Sequence, residues 1–100
     1  MWSMDEPLRP DRVKALVLQA LTTGRVYFRS HALKALKDDK LTTLDAERAL
    51  RGGVAREGEL VRDEWRYRVS TRRLTVVVTF VVLDPPDTHV VTCFAHLERK

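Results

Sequence analysis

Apolar positions along this chain keep two different periods, helical in the first half and alternating in the second, and the change falls at the glycine pair Gly52-Gly53. Val13, Leu16, Val17, Ala20 and Leu21 recur at helical spacing, which predicts an amphipathic helix opened by Pro10 and Asp11 and ended by Gly24. Val26-Tyr27-Phe28 reads as a short apolar strand running into a second helix, with Ser30 as N-cap and Ala32, Leu33 and Leu36 as the buried stripe. After the charged break Lys37-Asp38-Asp39-Lys40, Thr42 and Asp45 have the spacing of a capping box. Ala46, Ala49 and Leu50 supply the apolar face of this third helix, which Gly52-Gly53 stops.

From Val54 onward the pattern is that of strands. Val54 to Val61 forms a weak strand bent at Gly58. Trp65-Arg66-Tyr67-Arg68-Val69 alternates strictly, so Trp65, Tyr67 and Val69 point one way and Arg66 and Arg68 the other. Trp65 is expected in the core, with the Tyr67 hydroxyl within reach of a rim. Ser70 to Arg73 is a turn, and the Val-rich run Leu74 to Leu83 suits the central strand of a sheet. Asp84 to Asp87 breaks the run before a last strand, Thr88 to His96. Alternation there places Thr92 and His96 with Val90 and Phe94, and His89, Val91, Cys93 and Ala95 on the other face. Strands joined by short turns pair as antiparallel meanders. The expected fold class is therefore α+β, with N-terminal helices packed on one face of a three- or four-stranded antiparallel sheet. It would form a single domain over residues 10–100 after a loose lead-in at residues 1–9.

Composition narrows the function classes. With 44% hydrophobic and 32% charged residues the chain suits a folded soluble domain. A net charge of +4 attracts polyanions, nucleic acid first among them. Cys93 is the only cysteine, which excludes an internal disulfide and a cysteine-rich metal site. The mixed, acidic start Met1 to Pro7 lacks the basic-then-apolar order of a secretory signal, and Leu74 to Leu83 is far shorter than the roughly 20 residues a membrane span needs. A cytoplasmic location and no membrane partner are expected.

Several chemistries lack their residues. Gly52-Gly53 is not followed by Lys-Ser or Lys-Thr, so there is no phosphate-cradling glycine loop, and no Gly-x-Ser-x-Gly turn presents a nucleophile. His31, His89 and His96 are too far apart in sequence for a zinc motif, and no other cofactor is called for. What remains is histidine beside a set of arginines, the inventory for cleaving RNA through its own 2′-OH without a metal. One group takes the 2′ proton, another protonates the leaving 5′ oxygen, and cations hold the phosphoryl oxygens. His31, in the first turn of its helix, has unpaired backbone N–H groups and the positive dipole end beside it. Arg66 and Arg68 could clamp a phosphate as a planar fork, with Arg29, Ser30, Lys34, Arg72 and Arg73 as further phosphate contacts. The same face could equally serve a non-catalytic module that binds nucleic acid or an acidic protein.

Ser30-His31-Ala32-Leu33, the helix Leu44 to Arg51 with its Gly52-Gly53 stop, Arg66-Tyr67-Arg68-Val69, Leu74-Thr75-Val76-Val77-Val78 and Val90-Val91-Thr92 together resemble a family of small bacterial domains. That family is similar to RelE-like and MqsR-like toxins, mRNA endonucleases paired with an antitoxin. The resemblance implies a metal-independent ribonuclease acting on RNA, free or ribosome-bound, with a basic cleft covered by an acidic or helical antitoxin segment. It places the family's histidine at His31, its basic strand position at Arg68 and its late-strand hydroxyl at Thr92, and leaves His96 as a second proton-transfer group.

Overall fold

The structure, a computed structural model, describes residues 7–96. Most of the expected lead-in lies outside the described residues, but its end is docked: Leu8 packs against the core and its N–H donates to the Tyr67 hydroxyl at 2.9 Å. The elements run α1 (Pro10–Thr22), β1 (Arg25–Phe28), α2 (Ser30–Asp38), α3 (Thr43–Gly52), β2 (Val54–Ala55), β3 (Glu59–Val61), β4 (Glu64–Ser70), β5 (Leu74–Leu83) and β6 (Pro86–Ala95).

The α+β class is as the periodicity predicts, but the sheet has six strands rather than three or four. Their order is β1-β6-β5-β4-β2, with β3 also paired to β4. Two causes account for the difference. The weak strand around Gly58 is two short strands, each antiparallel to β4. Gly58 lies against the Tyr67 ring, where a Cβ would stand only 2.5 Å from a ring carbon, so the chain crosses that ring without a side chain. The second cause is that β1 adds to the sheet edge parallel to β6, with Arg25 opposite Asp87 and Phe28 opposite Val90. No turn between neighbours signals such a pairing, because its partner lies at the far end of the chain.

One face of the sheet carries the core. Val13, Leu16 and Val17 of α1, Ala32 and Leu36 of α2, and Ala46, Ala49 and Leu50 of α3 pack on Tyr67, Val69, Val76, Val78, Val90 and Cys93. Each large apolar side chain fully removed from water there is worth about 1.5–3 kcal/mol. Leu33 departs from the expected stripe and is 47% exposed. Ala32 and Leu36 fix the buried line of this nine-residue helix, and Leu33 stands about 100° round from Ala32. Ser30 is likewise not the N-cap. Arg29 holds that position with no side-chain cap bond, and Ser30 is the first helical residue.

The third helix forms as predicted, with both arms of the Thr42–Asp45 capping box present. Its far end is tied down by a contact absent from local sequence signals. Lys14 Nζ, from α1, donates to the carbonyls of Leu50, Arg51 and Gly53 at 2.8, 2.7 and 2.6 Å, which satisfies acceptors that a helix C-terminus leaves open. Gly53 lets this helix end approach β4, since a Cβ there would meet the backbone oxygens of Ala49 and Ser70.

Candidate nucleic-acid interface

Among the described residues, the helices pack on the core face and none covers the second sheet face. Register places Arg66, Arg68 and Ser70 of β4 there, beside Thr75, Val77 and Thr79 of β5. On β6 the strict alternation fails, because the register slips between Val77 and Val78 and leaves Val91 as the extra residue of a bulge. Val90 therefore turns to the core with Cys93. His89, expected on the opposite face from Thr92 and His96, shares theirs instead. Tyr27 of β1 lies beside His89 on this face, their rings 5.0 Å apart.

Charge on the face is organised around two carboxylates. Glu64 accepts from both Arg29 terminal nitrogens, at 3.2 and 2.8 Å, and from Arg66 Nε at 3.0 Å. These bonds, Arg29's first, hold the Glu64 carboxyl below its ordinary range against the opposing effect of burial. Arg29 Nε also donates to His89 Nδ1 at 3.4 Å, so the ring proton is assigned to Nε2, which faces Asp87 at 3.9 Å. Farther along β4, Arg68 lies 3.6 Å from Glu59 and 5.8 Å over the Phe94 ring.

His96 follows β6 at the other end of the face. Its Nε2 is 2.7 Å from the Thr75 hydroxyl, which is 2.9 Å from the Ser70 hydroxyl, and its backbone N–H donates to Arg73 O at 2.8 Å. The imidazole is thus oriented through one nitrogen, and Nδ1 is unengaged among the described residues. Phe94 meets the same ring edge-on at 5.9 Å.

Three cavities adjoin at this end. One of about 620 Å³ is lined by Arg56, Glu57, Glu59, Arg66, Arg68, Ser70, Thr75, Phe94 and His96. A second of about 650 Å³ adds Arg72 and Arg73, and a third of about 560 Å³ runs from His96 toward Arg48 on α3. Of the residues expected in the site, Arg66, Arg68, Arg72, Arg73 and His96 thus come together. Thr92 lies two strands from Arg68 in the row Arg68–Val77–Thr92.

The others lie apart from these cavities. His31 is exposed, forms no hydrogen bond or ion pair among the described residues, and sits on the helix that packs against the core face. Lys34 pairs with Asp38 at 3.0 Å, Ser30 is exposed at the start of the same helix, and Arg29 is committed to Glu64. Sequence reasoning missed Glu59, Glu64, Arg48 and Arg56, whose positions depend on cross-strand register and helix docking. It put Phe94 on the right face but gave it no role.

Among the described residues no three of His, Cys, Asp and Glu are grouped to hold a metal ion, and no helix is long and apolar enough to cross a membrane. No family model, curated protein or solved structure matches the chain.

Proposed function

We propose that this domain is a metal-independent endoribonuclease of the toxin kind, working at the end of the open sheet face where His96 meets Arg68. The observation that carries the reading is one cavity of about 620 Å³ lined by three arginines, two glutamates and a histidine. Arg66 and Arg68 hold the non-bridging oxygens of a phosphodiester. Glu59, beside Arg68, takes the 2′-OH proton; the 2′ oxygen bonds to phosphorus, and the P–O5′ bond breaks. His96 gives the departing 5′ oxygen a proton from Nδ1 while Thr75 orients the ring through Nε2. The products are a 2′,3′-cyclic phosphate and a free 5′-OH, and no further reactant is needed.

His31, the proton-transfer group implied by the resemblance, has no part in this arrangement. An antitoxin of acidic character is the partner that suits the arginine-lined end. A second reading, RNA binding without cleavage, is favoured by Tyr27 and Phe94, which are 53% and 38% exposed on the same face and could stack bases.

Incubation of the purified protein with labelled mixed-sequence RNA in excess EDTA, beside His96→Ala and His31→Ala, separates these readings. Cyclic-phosphate ends that disappear with His96→Ala and persist with His31→Ala are expected. RNA bound yet left intact, both free and as ribosome-bound message, overturns cleavage in favour of binding.

A further inference from the structure

His96 lines two cavities at once. One is the proposed cleavage cavity; the other, of about 560 Å³, lies between the end of the sheet and α3. The floor of this second cavity is apolar, from Leu41, Ala49 and Leu74, and its rim carries Arg48, Arg73 and Asp45. The size falls in the range of small-ligand pockets, and an apolar slot with a few polar groups is how such pockets orient a flat ring. Guanidinium groups at the rim complement a polyanion and can stack on a base.

The geometry points to this cavity as a nucleobase subsite for the nucleotide flanking the scissile phosphate, with His96 as the wall between base and phosphate. The inference rests on the ribonuclease reading and adds its substrate recognition. The base lies on Leu41 and Leu74, between Arg48 and Arg73, while its phosphate sits against Arg68 across the histidine. Asp45 uses Oδ2 to accept from the Thr42 N–H and hydroxyl, at 2.8 and 3.0 Å, which leaves Oδ1 unengaged among the described residues. A carboxylate oxygen accepts from a base amino group and repels the carbonyls that flank the N3–H of uracil. Amino-bearing bases are therefore preferred over uracil.

The test uses a short oligonucleotide made non-cleavable by 2′-O-methylation, with an abasic residue placed at each position in turn. Binding is measured for the wild type and for Ala95→Trp, which fills the cavity from an exposed strand position. One abasic position should weaken wild-type binding by about tenfold, the value of one stacked base. Ala95→Trp should already bind about tenfold more weakly and be indifferent to that position. Arg48→Ala, at an exposed helix position, should lose part of the same preference and guards against misfolding of the tryptophan variant. A flat abasic profile, or the same profile in all three proteins, overturns the subsite even where RNA is cleaved. The expected profile from a protein that leaves unmodified RNA intact keeps the subsite and overturns cleavage instead.

Discussion

Arg29 and Glu64 face each other through two parallel hydrogen bonds, although β6 and β5 lie between β4, which carries Glu64, and β1, which ends one residue before Arg29. Three strand spacings amount to roughly 14 Å on a flat sheet, about the combined reach of the two side chains. The pair therefore bridges the sheet beside His89, to which Arg29 Nε also donates, ties the edge of the sheet to β4, and removes Arg29 from any free role in holding phosphate.

Acid should undo this bridge. A carboxylate whose folded pKa is lowered adds stability above its unfolded pKa, ordinarily 4.5 for glutamate, and loses it as pH falls through the folded value. Glu64→Gln should cost on the order of 1 kcal/mol at pH 7. The cost should shrink toward zero well below pH 4.5. Urea midpoints of both proteins at pH 7 and pH 3 give the comparison; parallel losses in the two would sink the assignment.

Replacing His96 by alanine should lower cleavage by about 10²–10⁴-fold, the usual contribution of a positioned proton donor, while RNA affinity changes less than threefold or so. Thr75→Val, which removes the hydroxyl that orients the ring, should give a smaller loss and shift the pH–rate profile. Single-turnover rates across pH 5–9 read both effects. An unchanged profile in Thr75→Val would confine that hydroxyl to a structural role.

Lys14→Met keeps the aliphatic stem and removes the ammonium from three helix-end carbonyls. Burial holds the Lys14 pKa below its ordinary value, and the carbonyl bonds compensate for that burial. The substitution should destabilise by about 1–2 kcal/mol after allowance for partial exposure, and so lower Tm by several degrees in a domain of this size. Thermal unfolding followed by circular dichroism reads the shift. An unchanged Tm would show that solvent serves those carbonyls equally well.

Cys93 is buried on the core face, and desolvation pushes its thiol up to about 11. At pH 8 in the native state it should resist a thiol reagent and react fully only in denaturant, since the thiolate is the reactive form. Rapid labelling of the folded protein would place the sulfur at the surface.

Most of what depends on neighbours in sequence was legible there, Ser30 as a cap and Leu33 as a buried residue being the exceptions. The stripe of α1, the Thr42–Asp45 box and the opposed faces of Tyr67 and Arg68 follow from spacing alone. Register was not legible. The bulge at Val91 moves His89 across the sheet, and neither Val90 nor Val91 carries a turn-forming side chain that announces it. The same holds for the site: Arg66 and Arg68 could be paired from alternation, whereas Glu59 reaches Arg68 only because β3 folds back onto β4. His31 drew notice for its place at a helix start, yet packing of Ala32 and Leu36 carries that helix to the face away from His96.

The parallel seam between β1 and β6 also sets a schedule for synthesis. β1 is made early, but its sheet partner is the last of the described strands, so Tyr27 and Arg29 cannot take their places until β6 has left the ribosome. Until then β1 has no neighbour in the sheet. Joining segments so distant in sequence also costs loop-closure entropy before any contact repays it, which should make this seam the late step of refolding. By this order of assembly the face that carries Tyr27 and Arg29 stays incomplete until residues 86–95 have emerged.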